Sequence, residues 1–167
     1  EDLEVGPDAV VGQVNSGFRD TMKNLAGGRI SIAALSVGIG LGAMREALAY
    51  SKERVQFGHA VSEFQAIQWM FADMGTELEA AELMTFRAAS LKDAGRPYTR
   101  EAAMAKLFAS EAAMRATIKA VQVFGGYGYT QEYPAERYMR DAKLCEIGEG
   151  TSEVQRIIIA RDLIRSH

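Results

Sequence analysis

Glu149 is the residue whose neighbours best suit it to chemistry. The stretch EIGEGTSEVQR, residues 146–156, places this carboxylate between Gly148 and Gly150, just before a helix that we predict to begin at about Ser152. With no side chain on either flank, the carboxylate is open to a ligand and could serve as a general base. Spacing alone nevertheless favours a simpler interpretation, because the positive end of a helix stabilises a nearby acid by about 0.3–1 kcal/mol.

Three other places could contact a ligand. The segment QVFGGYGY, residues 122–129, exposes backbone at Gly125 and Gly126, although two glycines after a helix are more typical of a helix end. Arg54, in KERVQFG, is basic at a predicted helix end, which the helix dipole favours in any case. Arg29 precedes a long uncharged stretch, where a solvated helix charge is the ordinary interpretation. Taken singly, none of these residues identifies a function.

Composition limits the possible functions. The 167 residues suit one domain with a real core, and the net charge of −3 gives no indication of a nucleic-acid surface or a basic membrane patch. A single cysteine, Cys145, excludes an internal disulfide and fits a reducing compartment. Two histidines, His59 and His167, are too few for a histidine-rich site, so we predict no metal.

The longest uncharged stretch, Ile30 to Met44, predicts a buried helix. It is shorter than the roughly 20 residues that a membrane helix needs, and serines and glycines interrupt it, so we predict no membrane span. The acidic start, EDLEVGPDAVVG, has neither the basic region nor the apolar core of a signal peptide. The absence of an initiator Met suggests a fragment or a processed chain.

Apolar periodicity predicts helices along most of the sequence. We expect a long first helix, a second that Ser62 and Gln65 open as a capping box, a third from about Thr99, a short one over 134–143, and a last one over 152–165. Strand signals occur only near the start, in VGPDAVVGQV. The predicted core faces are, in order: Ile30, Ala33, Val37, Leu41, Met44, Leu48; Ile67, Phe71, Met74, Leu78, Ala81, Ala88, Leu91; and Ala103, Leu107, Ser110, Met114, Ile118, Val121. These elements predict an all-α fold, an antiparallel four-helix bundle.

The order of the motifs resembles one family. LAGGRISIAALSVGIGLGAMREALAYSKERVQFG, FQAIQWMFADM, QVFGGYGYTQEYPAERYMRDAK and EGTSEVQRIIIAR are similar, at these distances, to the C-terminal domain of the acyl-CoA dehydrogenases. Those flavoenzymes desaturate acyl-CoA thioesters between Cα and Cβ, and this chain is most similar to the short-chain, branched-chain or butyryl-CoA type. VGQVNSGF resembles the family's entry into the bundle from a middle β-domain. The resemblance therefore implies a remnant of that domain over 1–14 and the bundle over 15–167.

The resemblance assigns roles to the candidate residues. Glu149 is similar to the base that removes a proton from the substrate Cα, while Gly150 and Arg29 correspond to positions beside the substrate. Positions that correspond to contacts with FAD, in part with the FAD of a neighbouring subunit, are Arg54, Phe57, Gln65, Gln122, Val123, Phe124, Gly125, Gly126, Thr151 and Glu153. The implied partners are an acyl-CoA substrate, further copies of the chain in a dimer or tetramer, and an electron-transfer flavoprotein. The implied location is the bacterial cytoplasm or the mitochondrial matrix.

Three departures from the family pattern matter. Many short- and medium-chain members carry an aspartate that contacts CoA where this chain has Ala26. Many also carry a tyrosine where Gly148 stands, so we expect room for a branched or bulkier acyl group. A few members place the base on the first helix, where this chain has Gly28, which excludes that variant here.

Two other functions stay open from the sequence. One is a non-catalytic helical module for oligomerisation or for an FAD interface, and Glu149 speaks against it because assembly alone needs no acid there. The other is an acyl-CoA oxidase, in which oxygen takes the electrons. The family's N-terminal helical domain and most of its middle domain have no counterpart in this sequence, and we expect the isolated fragment to be inactive.

Overall fold

The computed structural model describes residues 2–166, and in them the chain forms five α-helices. These are α1 (Gly17–Glu53), α2 (Gln65–Asp93), α3 (Thr99–Phe124), α4 (Ala135–Ile147) and α5 (Ser152–Ser166). A small antiparallel hairpin of β1 (Val55–Gln56) and β2 (His59–Ala60) connects α1 to α2. Short 3₁₀ turns occur at Pro7–Ala9, Val61–Glu63 and Gly125–Tyr129. The predicted all-α bundle is confirmed.

Helices in successive positions of the bundle run in opposite directions. Ion pairs show this for α2 and α3, where Glu77 meets Arg115 and Asp73 meets Lys119. The helices α4 and α5 occupy the fourth position of the bundle one after the other, and both contact α3. Lys106 of α3 reaches the end of α4, and Arg100, nearer the start of α3, pairs with Asp162 of α5. Glu149 therefore lies at a break in the middle of that fourth position.

Small side chains let α1 come close to its neighbours. Gly40 is buried, and a Cβ there would lie 2.4 Å from Leu78 Cδ2 of α2 and 3.5 Å from Ala113 Cα of α3. Alanines fill most of the core along α3. Because such residues allow short interhelical distances, α1 packs on α2, α3 and α4 at the same time.

The predicted core faces are partly wrong. Leu48 and Ile118 are exposed, and α1 instead turns a stripe of small and polar residues inward: Ala26, Arg29, Ala33, Ser36, Val37, Gly40, Ala43, Ala47 and Ser51. Periodicity cannot reveal this, because a hydrophobicity pattern ranks large apolar residues above alanine, glycine and serine. The tight contact, however, needs the small ones.

Two local predictions are also wrong. The second helix begins at Gln65 and not at Ser62, and the capping interaction joins Ala60 to Glu63, whose Oε1 accepts from the Ala60 N–H at 3.0 Å. Strand pairing occurs at residues 55–60 and not near the start, where residues 2–16 contain a 3₁₀ turn but no strand. A lone valine-rich segment has no partner to pair with there.

By length and composition alone, α1 is the one helix among residues 2–166 that could cross a membrane. Its position accounts for the apolar composition, since α1 contacts α2, α3 and α4. It also carries the buried polar residues Arg29, Ser36 and Ser51 on the side that faces the core. We therefore assign α1 as a core helix of the bundle.

Candidate active site

The turn between α4 and α5 holds Glu149 in an unusual backbone conformation. Glu149 has a φ of +55° and Gly150 a φ of +95°, so two successive residues adopt positive φ. A non-glycine residue rarely does so, and it costs about 1–3 kcal/mol, which persists only where the surroundings enforce it. The turn is therefore imposed by its contacts rather than by local preference.

The side chain of Glu149 folds back against α1. A Cβ placed on Gly28 would lie 2.6 Å from Glu149 Oε2 and 3.3 Å from Oε1, so the absence of a side chain at Gly28 makes the space that the carboxylate occupies. Glu149 nevertheless remains exposed as a residue. The carboxylate is thus held on one side by the helix and open on the other.

Arg29 is the charged neighbour of this carboxylate. It is only 6% exposed, and burial lowers the pKa of its guanidinium, a shift that the negative charge of Glu149 partly opposes. Arg29 thus places a buried positive charge beside the negative charge of Glu149. The structure thus brings together Glu149, Gly150 and Arg29, three residues that the sequence analysis selected.

Two buried residues that the sequence analysis did not select hold the turn. Lys106 is 0% exposed, and its Nζ donates to the carbonyl oxygens of Glu146 at 3.1 Å and Gly150 at 2.8 Å. Gln155 is also 0% exposed, and its Nε2 donates to the carbonyl oxygens of Glu149 at 3.2 Å and Gly150 at 2.9 Å. Burial lowers the pKa of the Lys106 ammonium.

A sequence signal for Lys106 did exist. The residues three and four positions away from it on α3, namely Ala102, Ala103, Ala109 and Ser110, are all small and all buried. A lysine on a helix face made of small residues predicts a buried cation, and a buried cation needs a specific hydrogen-bond acceptor. Gln155 offered no such signal, since EVQRIII reads as an ordinary amphipathic start of a helix.

Unpaired polar atoms concentrate at this site. Among residues 2–166, the buried side-chain atoms with no hydrogen-bond partner are Arg29 Nε, Ser152 Oγ and Gln155 Oε1. Two of them lie on the first turn of α5 and the third beside Glu149. Buried polar atoms are normally satisfied, so this concentration is typical of a site that binds a polar group.

An apolar cavity opens beside Glu149. It has a volume of about 440 Å³ and lies between α1 and α4; it is lined by Ile32, Leu35, Ile39, Asp141, Leu144, Cys145, Gly148 and Glu149. Leu35 and Leu144 are exposed in it. An apolar cavity that ends at a carboxylate suits a ligand with a hydrocarbon part and one reactive polar end.

A second cleft lies at the other end of the bundle. It has a volume of about 450 Å³ and is lined by Tyr50, Arg54, Gln56, Val61, Val123, Phe124, Gly125, Gly126, Tyr127 and Thr130. Arg54 Cζ lies 5.4 Å from the centre of the Tyr127 ring, and a Cβ on Gly125 or Gly126 would meet nothing within 4 Å. A guanidinium, open backbone and an aromatic wall are groups that suit a diphosphate carrying an aromatic base.

Five further residues predicted to contact FAD lie in three places. Val123 and Phe124 are buried, with Phe124 stacked on Tyr50 at 4.3 Å between ring centres, so they form the wall of the cleft. Gln122 and Gln65 are exposed on α3 and α2. Phe57 is 91% exposed at the tip of the hairpin, with a φ of +53°. None of these three exposed side chains lines the cleft itself.

Thr151 and Glu153 lie beside Glu149 and not at the Arg54 cleft. A hydrogen bond with Thr151 is the main cause that lowers the pKa of Glu153, which lies in the first turn of α5. In the part of the chain that the structure describes, no group of three or more His, Cys, Asp or Glu residues could hold a metal ion. Cys145 is a buried free thiol.

Comparison with known proteins identifies one family. The family described as "Acyl-CoA dehydrogenase, C-terminal domain" matches residues 15–164. A probable acyl-CoA dehydrogenase of Bacillus subtilis is 55% identical over 99% of this chain and 43% of its own length. The caffeyl-CoA reductase-Etf complex subunit of Acetobacterium woodii is 48% identical over 99% of this chain and 44% of its own.

Solved structures show the same likeness. The structure of butyryl-CoA dehydrogenase from Megasphaera elsdenii superposes with a TM-score of 0.97 at 47% identity, over 99% of this chain and 43% of that one. The chain therefore spans less than half the length of the relatives that it matches.

Proposed function

Since this chain belongs to the acyl-CoA dehydrogenase family, we propose that it is the C-terminal part of an FAD-dependent enzyme that desaturates acyl-CoA thioesters between Cα and Cβ. In this proposal Glu149 is the base that removes the Cα proton. The observation that carries the proposal is the placement of Glu149, whose carboxylate rests against Gly28 at the end of an apolar cavity.

The surroundings of Glu149 suit a base. Arg29 provides a buried positive charge next to the carboxylate. An acyl chain that filled the cavity would exclude water from the carboxylate, and a desolvated carboxylate is a stronger proton acceptor. The positive φ at Glu149 and Gly150 turns the carbonyls of the turn towards Lys106 and Gln155 while the carboxylate lies against α1.

The Arg54 cleft supports the proposal of FAD as cofactor. Bound FAD would supply the acceptor for the hydride that leaves Cβ. Arg54 would neutralise the diphosphate, and the open backbone at Gly125 and Gly126 would let it approach closely. Because this cleft and the Glu149 cavity have no lining residue in common, we propose that Arg54 serves the FAD of a neighbouring subunit, with Phe57, Gln65 and Gln122 at its border.

The lining of the Glu149 cavity indicates which acyl groups it could hold. Its walls are aliphatic side chains of α1 and α4, and Gly148 adds no side chain to it. A Cβ on Gly148 would meet only the Leu144 carbonyl oxygen, at 3.5 Å, so the glycine leaves space that a larger residue could fill. We propose a short or branched acyl group, with the lack of an acid at Ala26 removing one contact to CoA.

The proposed partners are further copies of this chain and an electron-transfer flavoprotein. The Acetobacterium woodii relative is a subunit of a caffeyl-CoA reductase-Etf complex. For the complete protein, a reaction with acyl-CoA that proceeds with an electron-transfer flavoprotein but not with oxygen alone would support dehydrogenase over oxidase. The bacterial cytoplasm or the mitochondrial matrix is the compartment that we propose.

The test replaces the base. In the complete protein, Glu149→Gln keeps the size of the side chain but cannot accept a proton. We expect flavin bleaching by saturating acyl-CoA to slow by about a hundredfold or more, while FAD and acyl-CoA still bind. Glu79→Gln, at an exposed position of α2, is the matched control and should bleach at the normal rate. Normal bleaching by folded, flavin-loaded Glu149→Gln would exclude Glu149 as the base and leave the non-catalytic module as the better proposal.

A further inference from the structure

Lys106 is placed where a lysine is costly. It lies on α3 with an exposed fraction of 0%, and it is buried against the end of α4 and the turn that follows. Lysine is almost never fully buried unless specific acceptors compensate for the lost hydration. The acceptors here are backbone carbonyls of Glu146 and Gly150, which precede and follow Glu149 in the chain.

Gln155 contacts the same turn from α5. Its Nε2 donates to the carbonyl oxygens of Glu149 and Gly150, so the Gly150 carbonyl accepts from both Lys106 and Gln155. A Cβ on Gly150 would lie 2.9 Å from Gln155 Nε2, which shows how closely the amide packs on the turn. Two helices thus hold the carbonyls of residues 149 and 150.

These contacts determine where the carboxylate points. Glu149 and Gly150 both have positive φ, a conformation that the chain does not prefer for glutamate. Lys106 and Gln155 draw the carbonyls into the protein, and with the carbonyls fixed the Glu149 side chain is directed towards Gly28. Without the two donors, the turn could relax to backbone conformations that direct the side chain elsewhere.

We propose that Lys106 and Gln155 are positioning residues for the reaction: together they hold the backbone of the turn so that the Glu149 carboxylate meets the substrate Cα in a reactive geometry. This inference rests on the proposed function, in which Glu149 is the base. Neither residue lines the Glu149 cavity; Lys106 acts through the carbonyl of Gly150, and Gln155 acts through the carbonyls of Glu149 and Gly150.

A purely structural role makes a different prediction. Lys106 of α3 packs against the end of α4, where it donates to carbonyls that a helix end leaves unpaired. These hydrogen bonds alone would stabilise the fold. Loss of Lys106 would then lower the melting temperature but leave the rate per folded, flavin-loaded molecule unchanged. A positioning role requires that rate to fall, since a displacement of about 1 Å at a reacting group can slow a reaction by about a hundredfold.

The test uses Lys106→Met and Gln155→Met in the complete protein. Both changes keep a long apolar stem and remove the donor to the turn. Thr117→Val is the matched control: Thr117 is a buried polar residue three turns further along α3, and its hydroxyl donates only to the Met114 carbonyl of the same helix. For each variant, flavin content, melting temperature, acyl-CoA affinity and the limiting rate of flavin bleaching are measured below the melting temperature.

A second readout isolates proton removal. Exchange of the substrate α-hydrogen with deuterium from the solvent reports on the base alone. We expect Lys106→Met and Gln155→Met to lower both the limiting bleaching rate and the exchange rate by about tenfold or more, with acyl-CoA affinity changed less than about threefold. Thr117→Val should change neither rate.

The outcomes separate this inference from the proposed function. If Glu149→Gln bleaches normally, the proposed function fails and this inference with it. If Glu149→Gln loses bleaching while folded Lys106→Met and Gln155→Met keep normal rates, only the positioning role is wrong. If Lys106→Met does not fold, Gln155→Met decides. If neither variant gives folded, flavin-loaded protein, both residues are structural and the inference is overturned.

Discussion

The three glycines near Glu149 occur at their positions for different physical reasons. Gly28, distant in sequence, leaves the space in which the carboxylate lies. Gly150 provides a positive φ and room for Gln155. Gly148 has a φ of −61° and open space around its missing side chain, so the turn itself does not need a glycine there. The glycine after Glu149 is therefore explained by the backbone conformation of the turn, and the glycine before it by the space that it leaves in the cavity.

The substitution Gly28→Ala should lower the reaction rate without lowering the stability of the fold. The added methyl would lie 2.6 Å from Glu149 Oε2, the mobile end of a side chain, so the carboxylate would move while the helix stays intact. Alanine favours a helix over glycine by about 0.5–1 kcal/mol, so we expect the free energy of unfolding to stay the same or rise. The bleaching rate of the complete protein should fall by about tenfold or more.

Gly38→Ala is its matched control. Gly38 lies on the same helix, and a Cβ there would meet nothing within 4 Å. We expect the gain in unfolding free energy without the loss of rate, measured by urea titration and stopped-flow absorbance. Equal rates for the two variants would show that the contact between Gly28 and Glu149 does not matter for proton removal.

Sequence alone could select Glu149, Arg29 and Gly150, because glycines, charges and a family resemblance are local features. It could not show how they meet. Lys106 donates to a carbonyl 44 positions further along the chain, and Glu149 lies on Gly28 across 121 positions. Such contacts depend on the register between helices, which the periodicity of each helix does not determine.

The elements were predictable in type but not in detail. The third and fifth helices begin where expected, at Thr99 and Ser152, because breakers precede both. The second begins at Gln65 because a 3₁₀ turn takes up residues 61–63, and α4 continues to Ile147, directly before Gly148. The fourth position of the bundle is divided between α4 and α5, and that division places a turn, and with it Glu149, midway along the length of the bundle.

The turn itself yields a paired prediction. Gly150→Ala must adopt a φ of +95° and would bring a methyl to 2.9 Å from Gln155 Nε2, so we expect a loss of about 1–3 kcal/mol in unfolding free energy. Gly148→Ala keeps an ordinary φ and open space, so its unfolding free energy should change by less than about 0.5 kcal/mol. Urea titration of both variants measures the difference. A loss of equal size for both would contradict the conformational account of the turn.

The Arg54 cleft, where the ends of α1 and α3 meet, gives a prediction about the cofactor. In the complete protein, Arg54→Ala should weaken FAD retention by about 1.5–3 kcal/mol, because a charge-assisted contact to the diphosphate is lost. Flavin content after dilution and gel filtration is the measurement. Arg45→Ala, at an exposed position of α1 outside the cleft, should retain its flavin. Full flavin content in Arg54→Ala would disprove the assignment.

At the scale of the whole molecule, the core is well buried but parts of the surface are apolar. Large apolar side chains are exposed on several elements, among them Leu83 and Phe86 on α2, Leu144 and Ile147 on α4, and Ile157 and Ile164 on α5. Leu144 lines the Glu149 cavity, but the residues named on α2 and α5 line neither that cavity nor the Arg54 cleft. Several exposed apolar residues on one element are typical of a surface that another protein covers.

We therefore predict that the chain self-associates through these surfaces. Family resemblance in the sequence suggested an oligomer, and the exposed faces of α2 and α5 give the expectation a physical basis, because burying apolar area stabilises association by about 25 cal/mol per Å² before its entropic cost. Sedimentation velocity at micromolar concentration should show a dimer or a larger species.

Replacing both Leu83 and Phe86 by glutamate should shift the distribution towards smaller species, because two charges would be desolvated at the contact. Replacing the exposed polar residues Glu79 and Ser90 of α2 with alanine should leave it unchanged. A monomer as the sole species of the unmodified chain would contradict the prediction and leave the apolar faces to a partner of another kind.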